Sequence, residues 1–317
     1  MKRCIDLVVS GPEMSGTGTQ ITDLTEYFEI KRMAVRDMRK TELDALFHAG
    51  RFYPENQNYR SFQEYLADTS VPEAKKNQML RDMNACLSDG GTNQDLKIAS
   101  CVKNQVSTYV NPHSADVWIF EEPTKRGAGQ VNRAIEQHRS EYENKIDPIA
   151  AAYAHQAYRV DEFLRFRRVL REEKKIILRS RSEESACYQI QDKKALPHGI
   201  SEKEYLNLPG HLVAFKNPPT HIFIVCGSAS WTKKDYAELR AARDQGRLVD
   251  DHERNADYMV LVNKRYASDW LEKLYKKGCG RFKVKPPQII RFDIHASKAE
   301  IKEQMAVEID KILKAYA

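Results

Sequence analysis

Apolar and polar positions alternate between two periods along this chain. Residues 5–10, IDLVVS, form a short β-branched apolar run that stops at Gly11, the pattern of a strand buried on both faces. From Thr19 to Phe28 the apolar residues Ile21, Leu24 and Phe28 recur at helical spacing. The same alternation returns further on. Residues 115–120 (ADVWIF), 175–178 (KIIL), 221–226 (HIFIVC) and 287–292 (PQIIRF) read as strands, with 33–38 (MAVRDM) as a further short candidate. A long helix is expected over 148–170 and an amphipathic one over 299–313. Strands separated by helices imply an α/β fold, with a parallel sheet of about five strands covered by helices on both faces.

One stretch interrupts this order. Residues 41–114 hold two helix-like segments, ELDALFHAGRF and KKNQMLRDMNACL, and a turn-rich SDGGTNQD. They read as a mostly helical insertion in a core made of residues 1–40 and 115–317. A second polar stretch, DYAELRAARDQGRLVDDHER (235–254), has the charge pattern of a helical hairpin.

Composition narrows the class. Hydrophobic residues make up 41% and charged residues 30% of the 317, and no apolar run reaches the ~20 residues of a membrane span. The apolar run near the start is too short for a signal peptide. Cys4, Cys86, Cys101, Cys187, Cys226 and Cys279 are scattered without a C-x-x-C pair, so reduced thiols in a cytoplasmic protein are expected, not a zinc site or a disulfide framework. A net charge of +6 suits anionic partners, nucleotides or nucleic acid, and equally a solvated surface.

The candidate chemistry begins at Gly11. Gly11 and Gly16 stand five apart, as in the phosphate-loop pattern G-x-x-x-x-G-K-[ST], between a strand and a helix. Thr17 occupies the lysine position and Gly18 the Ser/Thr position. By itself such a glycine pair also fits an ordinary strand–helix turn.

Four segments in order resemble the thymidylate kinase family of P-loop nucleoside-monophosphate kinases. SGTGTQ (15–20) resembles the end of the family's phosphate loop, with Thr19 and Gln20 retained. EEPTKRGAGQVNRAI (121–135) resembles its R-E-P-T-x-x-P-x-G segment. AYAHQAYRVDEFLRFRRVL (152–170) resembles its A-D-R-x-x-H helix, with Arg159 on the arginine. IILRSRSEESACYQ (176–189) resembles its D-R-Y segment. The resemblance implies a three-layer P-loop fold, with ATP on Gly11, Ser15, Gly16, Thr17, Gly18 and Thr19, and with Mg²⁺. It implies that Glu122, Arg159 and a lid arginine, Arg243, serve the transfer. A nucleoside monophosphate would sit against Arg133, Arg159, Tyr188 and Gln189. Arg240 and Arg247 share the lid-like hairpin, and a homodimer is implied in the same way. No protein side chain is assigned as a metal ligand.

The residue types suit these roles. Backbone N–H groups at a helix start cradle phosphates, a carboxylate can position an acceptor or hold Mg²⁺ through water, and arginine forks match phosphate. Each also has a plainer use: Glu122 as a helix cap, Arg159 as surface charge, Tyr188 as core. Three departures stand against the kinase pattern. Thr17 replaces the lysine, Gly18 the hydroxyl, and Arg179 or Ser180 the aspartate of D-R-Y. Two expectations follow: a divergent kinase in which Lys125, Arg126 or a lid arginine stands in for the lysine, or a homologue that binds a nucleotide or nucleic acid without transfer. A kinase for another small phosphate acceptor is a third.

Overall fold

The computed structural model describes residues 3–39, 65, 68–89, 112–122, 148–197, 199–243 and 255–316. The chain divides into two compact units, Met1–Asp37 with Asn111–Ala317, and Met38–Val110.

The larger unit is built on six parallel strands: β1 (Ile5–Ser10), β2 (Val35–Asp37), β3 (Val117–Glu121), β4 (Ile176–Ser180), β5 (His221–Cys226) and β6 (Gln288–Asp293), in the order β2-β3-β4-β1-β5-β6. The expected sheet is therefore present with one strand more than about five, because the short Met33–Met38 candidate does pair, Val35 opposite Val117. β1 is central, with Leu7 opposite Leu178 of β4 and His221 of β5. Every residue of β1 and β5 is buried, as strands covered on both faces require.

Helix α1 (Thr17–Ile30) starts two residues before the expected Thr19 and buries Ile21, Leu24 and Phe28. It packs on β1 and β4 and against the last helix, Lys298–Tyr316, which buries Ile301, Met305 and Ile309. Tyr27 donates to Asp310 at 2.6 Å across that contact. The helix expected over 148–170 runs Pro148–Glu162, widens into a π-turn at Phe163–Arg167, and resumes over Arg168–Glu172. Beside it lies Pro209–Lys216, which in turn packs against Trp270–Gly280. The lid-like stretch contributes Lys233–Arg243, and Ala256–Ala267 follows, capped by Asn255, which accepts from the Tyr258 amide at 3.1 Å.

In the smaller unit, the helix Glu73–Asp89 covers the expected KKNQMLRDMNACL segment, and Tyr65, Val71 and Met83 are buried. The ELDALFHAGRF segment lies outside the described residues. No helix among the described residues is long and apolar enough to cross a membrane. Cys4, Cys187, Cys226 and Cys279 are free thiols.

Candidate functional site

The chain leaves β1 for α1 and β2 on one side, and leaves β4 for β5 on the other. The connections diverge between these neighbours, so a crevice opens outside their carboxyl ends, the place where open α/β sheets bind ligands.

Residues 11–19 form one wall. Gly11 tolerates no side chain: a Cβ there would collide with the Val225 carbonyl and lie 2.6 Å from Ser15 Oγ. Gly16 takes the left-handed conformation (φ 77°, ψ 28°) directly before the right-handed Thr17 and caps α1 without a side-chain hydrogen bond. Left-handed then right-handed backbone turns successive N–H groups into one concavity that suits an anion, and the helix start adds its partial positive charge. Ser15 is only 2% exposed, and its Oγ finds no partner among the described residues. Thr17 is half-buried, while Gly18 and Thr19 are exposed. Around Gly18 an added Cβ meets nothing within 4 Å.

The facing wall is the exit of β4. Arg181 continues the ladder, its amide donating to the Val9 carbonyl at 2.9 Å, and adopts φ 64°. Its guanidinium pairs with Glu13 of the loop and lies 5.4 Å above the Tyr188 ring. The Tyr188 hydroxyl donates to the Gly11 carbonyl at 3.4 Å. Loop and strand exit are thus laced together through Glu13, Arg181 and Tyr188. Gln189 is half-buried, and its Oε1 has no partner among the described residues.

At the end of β3, the Glu122 amide donates to the Ser180 carbonyl at 2.9 Å. Arg159 Nε reaches Glu122 Oε1 at 2.7 Å, Nη2 binds the same oxygen, and Nη1 meets His211 Nε2 at 2.8 Å. Glu122 is 10% exposed and Arg159 2%. Arg159 is therefore a buried partner and not surface charge, and its nitrogens are engaged within the protein. Burial would raise the Glu122 carboxyl, yet the guanidinium and its hydrogen bonds hold it below the usual range. His211 is pushed well below its ordinary value by burial and by Arg159, so it is neutral.

Charge continues inward. Asp6, fully buried on β1, receives Arg179 Nε at 2.9 Å and Arg171 Nη1 at 2.8 Å. Glu162, Glu183 and Glu184 are buried nearby. Arg167 lies 3.4 Å from Glu162, and Arg179 lies 3.9 Å from Glu183. The sequence reading gave these groups no role, although it named Arg179 as a departure from D-R-Y; the signal for Arg179, Glu183 and Glu184 was the density of arginine and glutamate in RSRSEES, directly after an apolar run.

Gly11, Ser15, Gly16, Thr17, Gly18 and Thr19 thus lie together at the crevice, with Tyr188 tied to the loop. Glu122 and Arg159 are brought together as an ion pair one strand further along. Arg243 is the last residue of its helix, after β5. Arg133, Lys125, Arg126 and Arg247 lie outside the described residues.

The loop fits a phosphate group: it has a helix start without a side-chain cap and a buried Ser15 hydroxyl without a partner among the described residues. It does not fit a directly bound Mg²⁺ in the same way, because Gly18 brings no side-chain oxygen. Among the described residues no group of three His, Cys, Asp or Glu side chains could hold a metal ion. No known family model and no curated protein matches the chain.

Proposed function

We propose that this protein binds a nucleoside triphosphate on residues 11–19 and transfers a phosphoryl group to a nucleoside monophosphate, in the manner of a thymidylate kinase. The observation that carries the reading is the left-handed Gly16 at the start of α1, at the point of the sheet where connections diverge. The loop N–H groups bind the donor phosphates. Arg181 answers the Glu13 carboxylate of the loop, so the donor phosphates do not face an unpaired negative charge there. Glu122, held in place by Arg159, orients the acceptor at the end of β3. Mg²⁺, where it takes part, neutralises phosphate charge, and no protein ligand for it is assigned.

Thr17 and Gly18 favour a second reading, nucleotide binding without transfer. One experiment separates the two. Purified protein is incubated with ATP, Mg²⁺ and a panel of nucleoside monophosphates, and diphosphate formation is followed directly, beside a titration of ATP alone. Turnover that Glu122→Gln abolishes supports transfer. ATP binding without turnover on any acceptor supports the second reading. Absence of both removes the nucleotide assignment.

A further inference from the structure

The opposite edge of the same sheet carries a second cavity, of about 580 Å³. It opens at the amino ends of the strands, beside Cys4 before β1, His221 at the start of β5 and Gln288 at the start of β6. The helix Lys298–Tyr316 closes one side. β1 alone puts it about 17 Å from the glycine loop, at ~3.3 Å per residue.

Its charge is one-sided. Of the six charged residues that line it, five are cations and one, Glu308, is an acid. Glu308 is answered by Lys311 at 2.6 Å, and Arg171 by Asp6 at 2.8 Å. Arg3, Lys216 and Lys285 remain, exposed and without a carboxylate partner among the described residues. The Cys4 thiol adds no negative charge, since burial and Asp6 push it up to about 12.

The rest of the lining is largely apolar and aromatic. Pro218, Pro219 and Ile312 are buried along it, and the rings of His221 and Tyr316 meet edge to face, 5.8 Å apart. Burial and the neighbouring Lys285 lower the pKa of His221, so its ring is a neutral surface. His221 Nδ1 is 3.0 Å from Thr220 Oγ1. A volume of this size holds a ligand of drug-like dimensions. Cations without partners and a ring pair that line the same cavity select an anion joined to a planar ring.

The geometry points to a second binding site at the amino edge of the sheet, for a small ligand of the nucleoside phosphate class, with its phosphate on Arg3, Lys216 and Lys285 and its base on the His221–Tyr316 wall. This does not depend on the reading of the glycine loop, because the two sites share no residue.

The test uses the full chain and an azido-adenosine diphosphate photolabel, with the labelled peptides mapped by mass spectrometry. Label on peptides covering 209–221 or 284–290, displaced by unlabelled ADP, is expected. Replacing both lysines, Lys216→Glu with Lys285→Glu, should weaken that label by about tenfold or more, while label at 11–20 stays as it was. Both lysines are exposed, so the fold tolerates the change. Label at the loop alone, or equal label at 209–221 and 284–290 in the doubly reversed protein, overturns the site. Inorganic pyrophosphate displacing the label as well as ADP does would overturn the part given to the ring pair.

Discussion

Glu13, in the middle of the glycine loop, is ion-paired with Arg181, which follows β4 and lies 168 residues further along the chain. Each side chain is 23% exposed, so the pair sits at the mouth of the crevice and not in the core. A lone carboxylate in that loop would repel phosphate. Arg181 removes the repulsion, and its contact with Tyr188 fixes where the charge stands.

Arg181→Ala should therefore weaken ATP binding by about tenfold or more, since it leaves Glu13 uncompensated beside the phosphates. The stability loss should be small, roughly 1 kcal/mol, because the pair is partly solvated. Isothermal titration beside urea denaturation separates the two effects. Unchanged affinity in a folded variant would show that the nucleotide does not feel Arg181.

Arg159→Ala should behave in the opposite way. It leaves the buried Glu122 carboxylate without its cation, which typically costs about 3–5 kcal/mol. Glu122→Gln keeps the shape and removes the charge, so it should cost less. If urea midpoints of wild type and Arg159→Ala coincide, the Glu122–Arg159 pair is not the structural link described above.

The strands were legible in the sequence because they are buried on both faces. IDLVVS and HIFIVC are mostly apolar, with Asp6, Ser10 and His221 as the polar exceptions, and their bounds in the fold match the reading. Val35–Asp37 was faint because each of its three residues is only half-buried and two of them are charged. The site was legible only where it is local. Gly11 to Thr19 form one continuous loop, so their order reveals their geometry. The partnership of Glu122 with Arg159 joins residues 37 apart, and that of Asp6 with Arg179 joins residues 173 apart. Arginine and glutamate in those segments read as solvated faces, since charge is rarely buried unless paired, and pairing across the sheet has no sequence period.

Thr17→Lys tests whether the lysine position is vacant. Thr17 is the first residue of α1 and half-buried, so a lysine there can extend toward the crevice. Adding a point charge at the phosphates should raise ATP affinity by about tenfold. The pairing of Thr17→Lys with Gly18→Ser should do at least as well, because a side chain at Gly18 meets open space. Flat or reduced affinity would mean that another cation, Arg181 first among them, already serves the same phosphates.

The buried carboxyls make stability depend on pH in a definite direction. Burial, together with Glu122 and Glu183, pushes Glu184 from an ordinary 4.5 to about 7. Burial also pushes Glu162 to about 7, against the pull of Arg167 and Arg179. A carboxyl raised in the folded state binds its proton more tightly there than in the unfolded chain. Its stabilising effect is complete below the unfolded value and is lost as pH rises through the folded one. His211 acts oppositely: lowered by burial and by Arg159, it disfavours the fold as pH drops below the ordinary histidine range. Asp6 and Glu122 are lowered, so they change only at more acid pH. The overall profile is thus a sum of opposing slopes, and a single variant isolates one of them. Glu162→Gln keeps the shape and removes the titration. Relative to wild type it should gain stability between about pH 5 and about pH 8, by a ceiling on the order of 3 kcal/mol. Urea midpoints of both proteins measured across that range give the difference directly. A difference that does not change with pH would show that Glu162 keeps an ordinary carboxyl, and that Arg167 and Arg179 hold it charged at every pH in the range.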